Sequence, residues 1–228
     1  LIDGGRNGQG KVVLKELEES NVNQIDILVA THPDADHIGG LAEVINGIPV
    51  KSVYAPKVSN NTKTFEDFLQ AVKDNGLSIK TAKAGDDLPV GDGATAIMVG
   101  PVKEYAKSDT NSWSAVIRIA HGENAFLMTG DATTKAEKDM IRDGQPLSAK
   151  VLKVGHHGSN TSSSPDFLDE VKPSHAVISV GKNSYGHPSP EVLDALKNAG
   201  LTNETIYRTD ELGTLTITSD AEKLKVSH

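Results

Sequence analysis

The sequence predicts an α/β protein built as a four-layer αββα sandwich, and three features point there. Strand-like and helix-like segments alternate along most of the chain, the signature of sheet and helix layers. In the middle and at the end hairpin patterns replace the helices, which does not suit a single doubly wound parallel sheet. Two sheets, each covered on its outer face by helices, accommodate both patterns. Finally, clusters of metal-ligating residue types recur directly after apolar strand patterns, where open α/β sheets place their sites.

Size and composition set the frame. The 228 residues fit one domain over 1–228, since no low-complexity tract or long polar spacer marks a linker. With 37% hydrophobic and only 4% aromatic residues, the core rests on Val, Ile, Leu and Ala. A formal charge of -8 argues against a non-specific polyanion binder, which is usually basic. It leaves room for a nuclease, because bound divalent cations offset charge locally. With no cysteine, disulfides and thiolate metal sites are excluded. No stretch is apolar enough for long enough to span a membrane. The chain opens Leu1-Ile2-Asp3-Gly4-Gly5 in mid-strand, with no methionine and no signal-peptide pattern, so first strands are expected to precede it.

Each element has its own signal. Residues 1–3 read as a strand end. Residues 10–20 read as an amphipathic helix with Val13, Leu14 and Leu17 inward. The near-continuous apolar run 25–30 is a strand buried on both faces. After a polar loop come a short helix at 40–46, a strand at 50–54 and a helix at 64–75 closed by Gly76. From 78 to 128 the pattern is β-rich, with Gly-Asp-Asp and Gly-Asp-Gly turns at 85–87 and 91–93. Strands 115–120 and 125–129 pair as a hairpin across His121-Gly122-Glu123-Asn124. Then follow a helix at 134–143, strand 149–154, helix 164–171, strand 175–180, a loop at 181–188 and helix 190–199. Short strands near 206, 215–218 and 224–226 finish the chain.

Chemistry concentrates in four places. The first is His32-Pro33-Asp34-Ala35-Asp36-His37 after the 25–30 strand. Two imidazoles and two carboxylates crowded there are costly unless they bind something. In an extended loop His32 and Asp34 face one metal and Asp36 and His37 a second, while Gly39-Gly40 lets the backbone turn tightly. The second is Thr129-Gly130-Asp131, whose aspartate can bridge two cations. Alone it would be an ordinary turn. Third is Gly155-His156-His157-Gly158-Ser159: adjacent histidines point to opposite sides, so one ligates metal and the other meets substrate or donates a proton. The fourth is Gly186-His187-Pro188. His121, His175 and Trp113 are expected to be structural.

These residues resemble the metallo-β-lactamase superfamily, and within it the C-terminal hydrolase domain of ComEC-type competence proteins. The matching stretches are 31–40, 127–131, 152–159 and 185–188. The resemblance implies the αββα fold and places Asp3 as the support of the metal loop. It implies two divalent metal ions, zinc or manganese, held by His32, Asp34, Asp36, His37, Asp131 and His156. Asp36, His157, His187 and Ser159 are the implied catalytic residues, with Ser159 at a helix start binding phosphate. Asp34 stands where the wider superfamily has a histidine, which makes the site harder and manganese plausible beside zinc. The third histidine is absent; Asp109-Thr110-Asn111-Ser112 stands there. An early strand ending Gly-Gln-Gly-Asp is also missing.

The implied activity is a phosphodiesterase or nuclease acting on DNA through a metal-bridging hydroxide. Lys150, Lys153 and Lys182 would guide the backbone. The expected context is a cell-surface or extracellular one, beside a membrane DNA-uptake channel, with a monomer as default. Two other readings stand: a phosphocholine or cell-wall esterase or other small-substrate hydrolase, favoured by the acidic charge, and a degenerate metal-binding module, favoured by the absent histidine.

Overall fold

The computed structural model of the chain describes residues 1–91 and 93–228. Asp92, the centre of the expected Gly-Asp-Gly turn, lies outside the described residues. Two compact units are distinguished: Leu1–Ala82 with Lys103–Ala115, and Lys83–Val102 with Val116–His228.

The first unit is a three-stranded parallel sheet, β1 (Ile25–Val29), β2 (Val50–Ala55) and β3 (Ile79–Thr81), in the order β1-β2-β3. Parallel neighbours need crossovers. Here α2 (Ala35–Ile38) and α3 (Leu41–Gly47) connect β1 to β2, and α4 (Lys63–Asp74) connects β2 to β3. Leu28, Val53, Ile38, Leu41 and Phe68 form a dry core. Against it pack Val13, Leu14 and Leu17 of α1 (Gly10–Glu19), the face that the sequence pattern turns inward. Asp26 is the exposed exception to the doubly buried strand expected at β1.

Residues 1–3 run beside β1 through a parallel bridge from Ile2 to Val29 and a bond from the Asp3 amide to the Val29 carbonyl. This carries Asp3 to the end of β1. Tight glycines lock the crossing: a Cβ on Gly40 would lie 2.2 Å from the Gly4 carbonyl oxygen, and one on Gly39 2.2 Å from the Asn7 nitrogen. The backbone therefore passes where no other residue fits.

The second unit holds a seven-stranded mixed sheet. Its antiparallel part is β4 (Asp87–Leu88), β5 (Ala94–Gly100), β6 (Val116–His121) and β7 (Asn124–Met128). Its parallel part continues from β7 through β8 (Val151–Lys153) and β9 (His175–Ile178) to β10 (Ile206–Arg208). The crossovers are α5 (Thr134–Arg142), α6 (Pro165–Val171) and α7 (Pro190–Asn198). A one-turn helix, α8 (Thr209–Leu212), and a hairpin of β11 (Thr216–Ser219) with β12 (Leu224–Ser227) complete it.

Because β7, β8 and β9 are parallel neighbours, the segments leaving them emerge on one sheet edge. The β6–β7 connection is tighter than expected. His121 and Asn124 pair across the hairpin, so the turn is Gly122-Glu123 alone. Asn124 is held there by bonds to Ser219, the Lys223 carbonyl and Lys150. Among the described residues, no helix is long and apolar enough to cross a membrane.

Candidate metal centre

In the first unit the ligand cluster sits on a strand-to-helix turn. Thr31 and His32 leave β1, Asp34 precedes the first turn of α2, and Asp36 and His37 lie within it. The helical turn replaces the extended loop expected from sequence. It is anchored from behind by Asp3. One oxygen of that carboxylate accepts the Thr31 amide at 2.8 Å; the other accepts the Thr31 hydroxyl at 2.8 Å and lies 2.7 Å from His37 Nδ1. Burial pushes the Asp3 carboxyl up, but the hydrogen bond and charge of His37 outweigh it, with help from His32 and the Thr31 amide, and hold it below the usual range.

An ionised Asp3 only accepts, so the Thr31 proton points at it. The Thr31 oxygen is then left to accept from His32 Nδ1, 3.0 Å away. Nδ1 of each histidine thus carries a proton, and Nε2 is left as the atom that faces the carboxylates. His32 Nε2 is directed at Asp34 (3.6 Å) and His37 Nε2 at Asp36 (3.9 Å). Asp34 is held in turn by Thr110 at 3.0 Å and Asn60 at 3.4 Å. Thr110 belongs to the stretch standing where the wider superfamily has its third histidine, and it positions a carboxylate there.

In the second unit Asp131, buried to 2% exposure, follows β7. His156 and His157 follow β8 on a backbone held in the left-handed region, with φ 46° and 54°. Such angles cost of order 1–3 kcal/mol each for residues with a Cβ and persist where the surroundings enforce them. The enforcement is visible: His157 Nδ1 donates to the Ser179 carbonyl at 2.7 Å, and His156 Nδ1 lies 2.9 Å from the Thr161 hydroxyl.

The conformation also corrects an expectation. Adjacent histidines on a strand diverge, but two successive left-handed residues turn both rings to one carboxylate. Nε2 of His156 is 3.9 Å and Nε2 of His157 3.4 Å from the same Asp131 oxygen. The ring of His187 lies 5.8 Å from that of His156. Burial and the charge of His157 hold the His187 imidazole below its ordinary pKa, partly countered by Asp131.

Three expectations did not hold. Ser159 does not start a helix; α6 begins at Pro165 after Ser164 as cap, and the buried Ser159 hydroxyl lies 3.0 Å from that of Thr161. Its place is beneath His156. Lys153 and Lys150 are occupied inside the unit. Lys153 Nζ donates to the Gly130 carbonyl at 2.9 Å and Lys150 Nζ to Asn124 at 2.9 Å, so neither ammonium is a ready guide for a ligand. Lys182 is exposed. His121 bonds Ser219, and Trp113 packs edge-on against Tyr105, as structural residues do.

Thr161, Ser179 and Thr110 carry no sequence signal of their own. Their roles come from which atoms the fold places behind each ring.

The donor set suits a divalent ion. Neutral imidazole nitrogens beside carboxylate oxygens, each ring fixed through its far nitrogen, are the usual arrangement around zinc, and the excess of oxygen donors admits manganese.

Known proteins resemble this chain in sequence and in fold. A family model described as the Metallo-beta-lactamase superfamily matches residues 1–182. ComE operon protein 3 of Bacillus subtilis is 32% identical over 206 residues, which are 90% of this chain and 26% of that protein. Competence protein ComA of Neisseria gonorrhoeae is 33% identical over 205 residues, 89% of this chain and 26% of its own length. The chain therefore spans about a quarter of these relatives. Among solved structures, the diiron beta-hydroxylase CmlA of Streptomyces venezuelae aligns over 82% of this chain and 44% of its own, with TM-score 0.54 and 15% identity. The metallo hydrolase Igni18 of Ignicoccus hospitalis aligns over 89% of this chain and 79% of its own, with TM-score 0.50 and 16% identity. At that identity the two structures establish the fold.

Proposed function

The chain belongs to the metallo-beta-lactamase superfamily, and from that premise we propose that it is a metal-dependent phosphodiesterase acting on DNA, the hydrolase part of a competence-type protein. The observation that carries this reading is the common state of four imidazoles. His32, His37, His156 and His157 each have Nδ1 tied to an oxygen and Nε2 turned to an aspartate. A structural or surface histidine has no reason to repeat that pattern four times.

In this proposal each ligand set binds divalent metal. His32, Asp34, Asp36 and His37 come from the first unit, and Asp131, His156 and His157 from the second. When bound, the ions supply an ionised water at neutral pH and polarise a phosphoryl oxygen. The protein does the rest. Asp3 and Thr31 keep the first pair of rings in the tautomer that binds; the Ser179 carbonyl does so for His157, and Thr161 orients the His156 ring. Thr110 and Asn60 hold the Asp34 carboxylate from turning away. His187 is the remaining imidazole beside the set, placed to donate a hydrogen bond to a phosphoryl or departing oxygen.

Support for a nucleic-acid substrate comes from the relatives named for competence. It comes also from a cavity of about 500 Å³ in the first unit lined by Lys57 and Lys107. The wall segments of that cavity run on to Asn60 and Thr110, the partners of Asp34. Lys107 takes the guiding role expected of Lys150 and Lys153, whereas Lys57 is paired at 3.4 Å with Glu104, which lines the same cavity. The same reading sets the domain at or beyond the cell surface.

The test is a substrate panel with chelation and metal add-back: single-stranded DNA, bis(p-nitrophenyl) phosphate, a phosphocholine ester and a β-lactam. Cleavage of both phosphodiesters that is abolished by chelator and restored by manganese or zinc is expected. Turnover of the choline ester or lactam alone would contradict the proposal, as would metal uptake without any turnover.

A further inference from the structure

Glu137 is a buried ionisable group that the proposed chemistry leaves unused. It sits on α5 at 1% exposure, where a carboxylate is costly unless something is built around it. Its two oxygens accept the backbone N–H groups of Ser163 and Ser164, the second at 2.9 Å. Ser163 is in the left-handed region, φ 59°, and Ser164 caps α6 without a side-chain bond of its own. Burial raises the carboxyl to about 7, against the pull of these same donors. The fold therefore tolerates a desolvated acid in order to hold one short piece of backbone.

That piece is the far end of the segment carrying the histidine pair. From Ser163 the chain runs back through Ser162, whose hydroxyl donates to the Gly155 carbonyl at 2.8 Å. Next is Thr161, whose hydroxyl lies against His156 Nδ1 and whose carbonyl accepts the Thr134 amide of α5 at 2.8 Å. The segment 155–164 is thus closed into a loop fixed to α5 at both Thr134 and Glu137. Its near end holds the two strained residues His156 and His157. Without fixation at the far end, nothing in the local sequence favours left-handed histidines over relaxed ones.

We infer that Glu137 is a positioning residue for the metal centre: through Ser163, Ser164 and Thr161 it holds the 155–164 loop in the form that turns both imidazoles to Asp131. The inference rests on the proposed metal-dependent activity, which it extends to a residue outside the ligand set. Glutamine is the informative replacement. Its amide keeps the volume but offers one acceptor oxygen to two N–H groups and sets a second donor against one of them.

The experiment compares wild type, Glu137→Gln, Glu137→Asp and Thr161→Val in the full chain. The readouts are zinc uptake after dialysis, melting of the metal-free protein, and kcat and KM on bis(p-nitrophenyl) phosphate. Glu137→Gln should lower kcat and zinc affinity about 10–100-fold with KM nearly unchanged, as loss of a ligand-orienting contact does. Glu137→Asp should restore part of both. Thr161→Val, which leaves Glu137 in place, should weaken zinc affinity in the same direction, and it carries the test if the Glu137 variants do not fold. Glu137→Gln with a lower melting temperature but wild-type zinc uptake and kcat would overturn the inference, and so would an unaltered Thr161→Val. A wild type that takes up zinc without hydrolysing the phosphodiester would refute the proposed activity while the uptake comparison still decides the role of Glu137.

Discussion

The two ligand sets reach the same end by opposite means. In the first unit His32 and His37 stand on ordinary backbone, at the end of β1 and in α2, and a half-buried carboxylate, Asp3, fixes His37 directly and His32 through Thr31. In the second, His156 and His157 occupy left-handed backbone and are fixed by a carbonyl and a hydroxyl, with the loop clamped from α5. Charge does the orienting in one and conformational constraint in the other. The first arrangement is the more robust at the histidines themselves, although Asp3, which fixes them, is left-handed at φ 60°. The second depends on neighbours that contribute nothing to the chemistry.

That difference is testable. The largest effect is expected at Asp131, the one carboxylate to which both strained histidines turn. Asp131→Ala should cut phosphodiesterase activity by more than about 100-fold, beyond what loss of a supporting contact costs, with steady-state rates under saturating manganese as the measurement. Activity within a few-fold of wild type would remove Asp131 from the site.

Next comes a pH signature of the clamp. Glu137 carries a carboxyl raised from 4.5 to about 7, so the native state binds its proton more tightly than the unfolded chain. The stabilisation it brings is complete below about pH 4.5 and is lost as pH rises through about 7. The shift is worth on the order of 3 kcal/mol. Urea unfolding of metal-free protein at pH 5 and pH 8 should show this decline in wild type. Glu137→Gln should lack that part of it, and equal declines in both would contradict the assignment.

Asp3→Asn probes the robust side. It should weaken metal binding by about 10–100-fold. In zinc titrations of the variant, binding at the His32–His37 cluster should be what weakens. The smallest effect is expected at Thr110, whose single bond to Asp34 is worth about 1 kcal/mol. Thr110→Val should therefore lower zinc affinity about fivefold, and a loss as large as that of Asp3→Asn would mean the stretch at 109–112 does more than hold Asp34.

The same contrast explains what the sequence could reveal. His32 to His37 were legible because four ligand residues fall within six positions after an apolar strand, and Asp3 only through the family resemblance of the opening residues. The parallel strands β7, β8 and β9 were legible from alternation with helices, and they put Asp131, His156 and His187 at strand ends. The direction of the two adjacent rings was not legible. Alternation assumes extended backbone, and nothing in Gly-His-His-Gly announces two left-handed residues. Glu137 reads as one more helical glutamate, since its burial depends on the 161–164 turn that packs over it. Lys150 and Lys153 were misread for the same reason: a lysine near a motif looks available until the carbonyl or amide that holds it is known.

The central claim, that both ligand sets bind divalent metal, is tested most directly by counting bound metal in wild type, Asp36→Ala and Asp131→Ala after equilibration with zinc. About two ions per chain are predicted for wild type, with fewer in each variant, because each removes a ligand. Wild-type stoichiometry in either variant, or a wild type that binds none, would contradict it.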